Sequence, residues 1–378
     1  MVRQDPAYNI KYVQQNVKDN FGFDISYHKA WHALKAAREE VYGTWESSVQ
    51  KLPKFMAALQ KSNPGTVVEW LHLHTDRPDL KILNYVFWAF RPCIEGFRYY
   101  RNLISIDGTH LYTKYKHKLL MAVTLDANQQ ILPIAFALVD EESVSSWRWF
   151  LKMLAKHLML DNDDQICLIS GRHSGLIYAI NFVLAFTFPR GVHRFCLRHV
   201  CSNFNTKYKN IQLKDLCWRA GAEQNIRKFE RIMEEIRELN EEAFDWLQKI
   251  DKEQWTLSHD GGWRTGILTT NMSECINGVL KGTRRLSIIA IVRITLDRIV
   301  HYFLERTIRC HRMMRDNQQW ADNAFRLFES RQDEVVHHIV QKFDYTQQSA
   351  SVTTRGLTGE LSRTYVVKLK HRQCSCGK

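Results

Sequence analysis

The 378-residue sequence has no long apolar run. Its longest uninterrupted apolar stretches are about nine residues, roughly half of what a helix needs to cross a bilayer. A membrane is therefore not an expected partner. The N-terminus, Met1-Val-Arg-Gln-Asp-Pro6, has no apolar segment of the secretory kind. Nine cysteines are scattered along the chain and, without a secretory signal, do not read as a disulfide framework. An intracellular protein is expected. No internal repeat or low-complexity tract is evident, which argues against a repeat architecture. Acidic residues are in deficit, with 40 Asp and Glu against 53 Lys and Arg, for a formal net charge of +13. An ordinary basic protein has this balance too. A polyanion partner explains it more sharply, through phosphate neutralisation and counterion release.

What is present belongs to a folded chain. Hydrophobic residues make up 45% and charged residues 25%, enough for a large core and two or three domains. The organising stretch is Leu103-Ile-Ser-Ile-Asp-Gly-Thr-His110. An apolar run ends on a carboxylate followed at once by Gly108, so it reads as a buried strand delivering Asp107 to a sheet edge. Strands are predicted at 118–125 and 131–139 around a polar turn at 126–130, then a helix over 144–158, a strand over 165–170, a helix over 175–186 and a strand over 192–199. About five strands are expected, the first three antiparallel, with helices on both faces.

The segment "SIDGTHLYTKYKHKLLMAVTLDANQQILPIAFALVDEESVSSWRWFL" resembles the core of Mutator-like element (MULE) transposases of plants. "DISYHKAWHALKAAREEVYGTWESS" and "FWAFRPCIEGFRYYR" are similar to the segment that precedes that core. The resemblance implies an α/β fold: a ribonuclease-H-like mixed sheet with a helical insertion, plus an N-terminal mainly helical region. It divides the chain into 1–98, a core at 99–205, an insertion at 206–266, a closing catalytic helix and basic helix at 267–318, and a C-terminal region at 319–378. It also implies DNA as partner, a nuclear location, and phosphodiester cleavage and strand transfer aided by Mg²⁺ or Mn²⁺. Two such ions stabilise the attacking and leaving oxygens and take hard carboxylate ligands. Asp107 matches the family's first acid, and Glu274 in "TTNMSECIN" its third. The second acid belongs in a pattern like "ISDRHSGL", but here Gly171 stands in Ile169-Ser-Gly-Arg-His-Ser-Gly-Leu176. Glycine cannot ligate a metal. His173 is two residues away, but imidazole is a poor Mg²⁺ ligand. Asp163 and Asp164, in the polar turn 161–164, lie a strand length away.

Two partial Zn²⁺ patterns accompany this. Cys196 and His199 form a Cys-x-x-His pair, with His193 and Cys201 as further candidates; structural zinc wants four ligands. Cys374-Ser-Cys376 resembles the opening of a SWIM-type zinc finger, whose remaining Cys-x-His belongs downstream. The helix predicted over 288–313 carries Arg293, Arg298, Arg306 and Arg309 as candidate DNA contacts. In the tail, a helix to about Phe343, a loose stretch over 346–356 and a strand over 364–370 are predicted. Three readings stay open: a transposase impaired at Gly171, a domesticated non-catalytic relative acting as a DNA-bound regulator, or a decayed fragment. A homo-oligomer is compatible with each.

Overall fold

The computed structural model describes residues 2, 8–77, 81–158, 165–355, 363–371 and 373–376. The acidic turn 161–164 lies outside the described residues. Three helices lead: α1 (Ile10–Phe21), α2 (Tyr27–Tyr42) and α3 (Trp45–Ser62). Asn9, Ser26 and Thr44 each accept a hydrogen bond from a backbone N–H of the first turn, and Gly22 and Gly43 end the first two helices at positive φ. Strands β1 (Val67–Leu73) and β2 (Ile82–Ala89), helix α4 (Arg91–Phe97), and strands β3 (Leu103–His110), β4 (Lys118–Leu125) and β5 (Ile131–Val139) follow. Then come α5 (Val144–His157), β6 (Ile166–Ser170), α6 (Ser174–Ile180) and β7 (Gly191–Phe195).

These strands form one seven-stranded mixed sheet in the order β1-β2-β5-β4-β3-β6-β7. The expected five are present: β3, β4 and β5 are antiparallel, and β6 and β7 run parallel to β3. The other two come from the N-terminal region. β2 pairs antiparallel with β5 through Val86, Phe87 and Trp88, so the sheet runs across the expected boundary at residue 98. Alternation sorts side chains between two cores. On one face Trp88, Leu119, Met121 and Phe136 pack with Leu52 and Met56 of α3; on the other Phe87, Ile104, Ile106 and Leu120 pack with Trp147, Phe150 and Leu154 of α5. Each such burial is worth about 1.5–3 kcal/mol.

After β7 the chain makes a helical excursion: α7 (Leu197–Tyr208), α8 (Ile211–Ala222), α9 (Ile226–Leu239), α10 (Glu241–Gln248) and α11 (Lys252–Trp255). These helices build their own core, including Phe204, Leu216, Phe229, Ile236 and Trp255. The apolar stripe of α9 is buried at Phe229, Ile232, Met233 and Ile236, whereas its ends, Ile226 and Leu239, are exposed. The chain then returns through α12 (Asn271–Val279) and the long α13 (Ile288–Arg315). Thr295 of α13 accepts a hydrogen bond from the buried Trp88 indole at 3.2 Å, fixing α13 to β2.

The tail differs from expectation. Helix α14 (Asp322–Val335) stops early, and His338–Asp344 is a strand, β8. The stretch expected to be loose contains β9 (Ser349–Thr354), which pairs with β8 on one side and β10 (Arg363–Lys368) on the other; β11 (Gln373–Cys374) completes a separate four-stranded sheet. In Ser-Ala-Ser-Val-Thr-Thr only Ala350 and Val352 are apolar, a weak alternation that pairing on both edges completes.

The return into α12 is pinned by a buried ion cluster. Asp260 accepts from Arg194 Nε of β7 at 2.9 Å and from the Arg264 backbone N–H at 2.7 Å, and its carboxylate is 3.4 Å from Arg264 Nε. All three residues are nearly inaccessible to solvent. Removing the shared acid leaves two arginines buried without their counter-charge. Asp260→Ala is expected to cost about 3–5 kcal/mol in a urea-unfolding measurement. Glu234→Ala, which breaks an exposed pair with Arg237, is expected to cost less than about 1 kcal/mol.

Candidate functional site

Asp107 sits on β3, two residues beyond Ser105 and on the same face. Helix α12 lies across that face. Its Ser273 and Asn277, four residues apart and so on one helical side, meet these two positions in turn. Ser273 Oγ is 2.7 Å from Ser105 Oγ, and Asn277 Nδ2 donates to Asp107 Oδ2 at 2.8 Å. The other carboxylate oxygen, Oδ1, accepts the Gly108 N–H at 3.0 Å.

The other predicted residues gather here, but not as ligands to one point. Glu274 is half-exposed and its carboxylate is ion-paired with the Arg198 guanidinium of α7. Gly171 follows β6 directly, and a Cβ there would meet the His199 ring at 3.5 Å. The imidazole thus faces the place where the second acid was expected. His173 is exposed and lies against Gly175 instead. One acid escaped the sequence reading. Glu142, before α5, lies so close over Gly108 that an added Cβ would stand 2.7 Å from its carboxyl carbon, and it is 3.8 Å from Lys118 Nζ. Its only sequence signal was a polar residue at the foot of a predicted helix.

The electrostatics follow from this geometry. Burial raises the Asp107 carboxyl to about 6, helped by the Glu142 charge and opposed by the Gly108 amide, His199 and Asn277. Burial also raises the Cys196 thiol, but hydrogen bonds from His199 and Thr270 outweigh it and bring it down to about 7. His199 is raised in turn, first by its bond to Cys196 and further by Asp107.

Residues 103–203 match the MULE transposase domain. Protein FAR1-RELATED SEQUENCE 4 of Arabidopsis thaliana is 22% identical over 203 residues, covering 53% of this chain and 25% of that protein. Protein FAR-RED IMPAIRED RESPONSE 1 of Arabidopsis thaliana is 21% identical over 253 residues, covering 61% of this chain and 28% of that protein. The chain thus spans about a quarter of the length of these curated relatives.

The residues gathered around Asp107 do not fit a two-metal carboxylate site. Asp107 has both oxygens engaged by N–H donors, Glu274 is paired with an arginine, and Gly171 offers nothing. Among the described residues no three His, Cys, Asp or Glu side chains converge for a metal. The zinc patterns fare similarly. Cys196 and His199 do bond to each other. However, His193 turns to Ser170 Oγ at 2.7 Å and Cys201 to Cys217 Sγ at 3.4 Å. Cys374 Sγ accepts the Cys376 N–H at 3.4 Å within the C-terminal sheet. Of the candidate DNA-contacting arginines, Arg293 and Arg298 are exposed. Arg306 is instead structural, donating to Ile131 O at 2.7 Å and lying 3.3 Å from Asp126 at the β4–β5 turn. Arg309 pairs with Asp322 at 3.0 Å.

A carboxyl whose folded value lies above its ordinary 3.8 holds a proton that the unfolded chain has released. Its contribution is therefore favourable below about pH 4 and is lost as pH rises through about 6. Asp107→Asn is expected to stabilise the fold by about 1–3 kcal/mol at pH 7. The gain should vanish below about pH 4. Chemical denaturation at both pH values reads the difference.

Proposed function

We propose that this chain is a DNA-binding domain of MULE-transposase descent that has lost metal-dependent strand cleavage, and that it acts as a DNA-bound regulator. We read its sheet as ribonuclease-H-like: three antiparallel strands, then two parallel to the first, with helices on both faces. The observation that carries the reading is Gly171. It stands where the MULE pattern calls for the second acid, and the His199 ring faces that space. In-line phosphoryl chemistry needs charge stabilisation on both the attacking and the leaving oxygen. With one acid gone and Glu274 tied to Arg198, the anchor for a second ion is absent. Loss of such a term costs roughly a thousandfold or more in rate.

DNA binding is supported by the +13 net charge and by the exposed Arg293 and Arg298 of α13. Arg293 also lies over the Phe55 ring at 5.8 Å, so part of its side chain serves packing. A nuclear location accompanies a DNA partner.

The test joins duplex binding with plasmid nicking in Mg²⁺ or Mn²⁺. Binding to duplex is expected to weaken steeply between ~50 and ~200 mM salt, with no nicking by the unaltered chain. Gly171→Asp is tolerated at its Cβ, which would sit in ordinary contact with the His199 ring at 3.5 Å. It is expected to gain Mn²⁺ affinity in calorimetry and to recover partial nicking that Asp107→Asn abolishes. Robust metal-dependent nicking by the unaltered chain, removed by Asp107→Asn, would overturn the non-catalytic reading. A salt-insensitive affinity would overturn the electrostatic one.

A further inference from the structure

The helical N-terminal region and the β3–β4 loop enclose a groove of about 660 Å³, within the roughly 300–1,000 Å³ range of ligand pockets. Its walls combine aromatic faces with cations. Trp31 of α2 is 38% exposed, with Lys35 Nζ over its ring at 5.8 Å, His28 stacked at 6.3 Å and His32 edge-on at 4.8 Å, so a base would stack on the part of the ring these leave open. Across from it, Tyr112 is 60% exposed, with the Arg285 guanidinium over its ring at 5.8 Å. Trp45 lies at the start of α3, stacked on His117 at 5.2 Å. Two carboxylates line the groove, and each faces a lysine: Glu39 is 3.9 Å from Lys35 and Glu46 is 3.7 Å from Lys114. With Arg38 and Arg285 the lining keeps a positive excess.

The groove is joined to the Asp107 site by a chain of hydrogen bonds. The Tyr112 N–H donates to Arg284 O at 2.8 Å, Arg284 Nη2 to Asn277 O at 2.6 Å, and Asn277 Nδ2 to Asp107 Oδ2 at 2.8 Å.

We infer that this groove binds single-stranded nucleic acid, with bases stacked on Trp31 and Tyr112 and phosphates held by Arg285 and its lysine neighbours. The inference rests on the DNA-binding reading above and specifies which strand state this part of the surface takes. A duplex hides the faces of its bases in its own stack. An unpaired base exposes two, and aromatic platforms beside cations recognise such bases regardless of sequence. Lys35 and Arg285, each 5.8 Å from a ring centroid, place positive charge beside the two platforms, where the backbone of a stacked strand would run.

The test is fluorescence anisotropy of the full chain with a labelled oligothymidine and a blunt duplex of equal length, at low and moderate salt. Oligothymidine is expected to bind, and Trp31→Ala and Tyr112→Ala are each expected to weaken it about tenfold while changing duplex affinity less than twofold. Tyr112→Phe, which keeps the ring, should retain binding, and Arg285→Ala should lower the salt slope by about one. Tyr178→Ala, an exposed tyrosine on the opposite face of the sheet, controls for any loss of aromatic surface. Circular dichroism confirms that the variants fold. Single-strand binding unchanged in both aromatic variants, with duplex binding intact, would overturn the inference and leave the DNA-binding reading standing. Ring-dependent single-strand binding without any duplex binding would support the inference and overturn the duplex reading. No binding of either at low salt would overturn both.

Discussion

One buried carboxylate holds the architecture to its site. Asp260 stands between Arg194 on the edge strand and Arg264 in the returning loop, with a second bond to the Arg264 amide. Each arginine alone is costly to bury, and the acid makes both tolerable in one place. Because that loop is locked against β7, the chain leaves it in a fixed direction. The Leu197 N–H donates to Leu268 O at 2.8 Å, and the Thr270 N–H to Cys196 Sγ at 3.3 Å. Helix α12 therefore starts beside α7 and crosses β3 in the one register that sets Ser273 on Ser105 and Asn277 on Asp107.

The same placement decides the local charge balance. Positive groups supplied by the protein stand beside the acids: Arg198 against Glu274, Lys118 near Glu142, and His199 within electrostatic reach of Asp107. His199 itself is held by Cys196, whose sulfur also takes a backbone amide. A polyanion approaching this edge meets partly neutralised carboxylates rather than a bare acidic cluster.

Much of the central sheet was legible because each element announced itself locally. The apolar runs at 103–110, 118–125 and 131–139 are strands, and α12, the helix that carries Glu274, lies against β3 through the Asn277–Asp107 bond. What stayed hidden depended on partners remote in sequence. β2 joins the sheet only because β5 offers an edge 50 or so residues later in the chain. Glu142 reaches the site because Gly108 has no side chain to exclude it. Arg306 looks like a phosphate contact in one dimension and is a brace for a turn in three. Helix periodicity can say that Asn277 shares a side with Ser273. It cannot say which strand that side will meet.

The excursion from α7 to α11 has a further consequence. It leaves the sheet at Leu197 and comes back at Leu268, and these two residues touch through a backbone hydrogen bond. Entry and exit are therefore adjacent, and the helices between them bury most of their apolar surface on one another, with Phe195 of β7 and Ile177 of α6 joining that core. The entropy of closing such a segment grows only slowly with its length. Only its distal part, α8 to α10, is thus a cassette: those helices can lengthen, shorten or be exchanged, whereas α7 carries Arg198 and His199 and the returning loop carries Asp260 and Arg264, which the β3–α12 junction needs. A change in the outer helices therefore reaches the sheet only through α7 and the Asp260 lock.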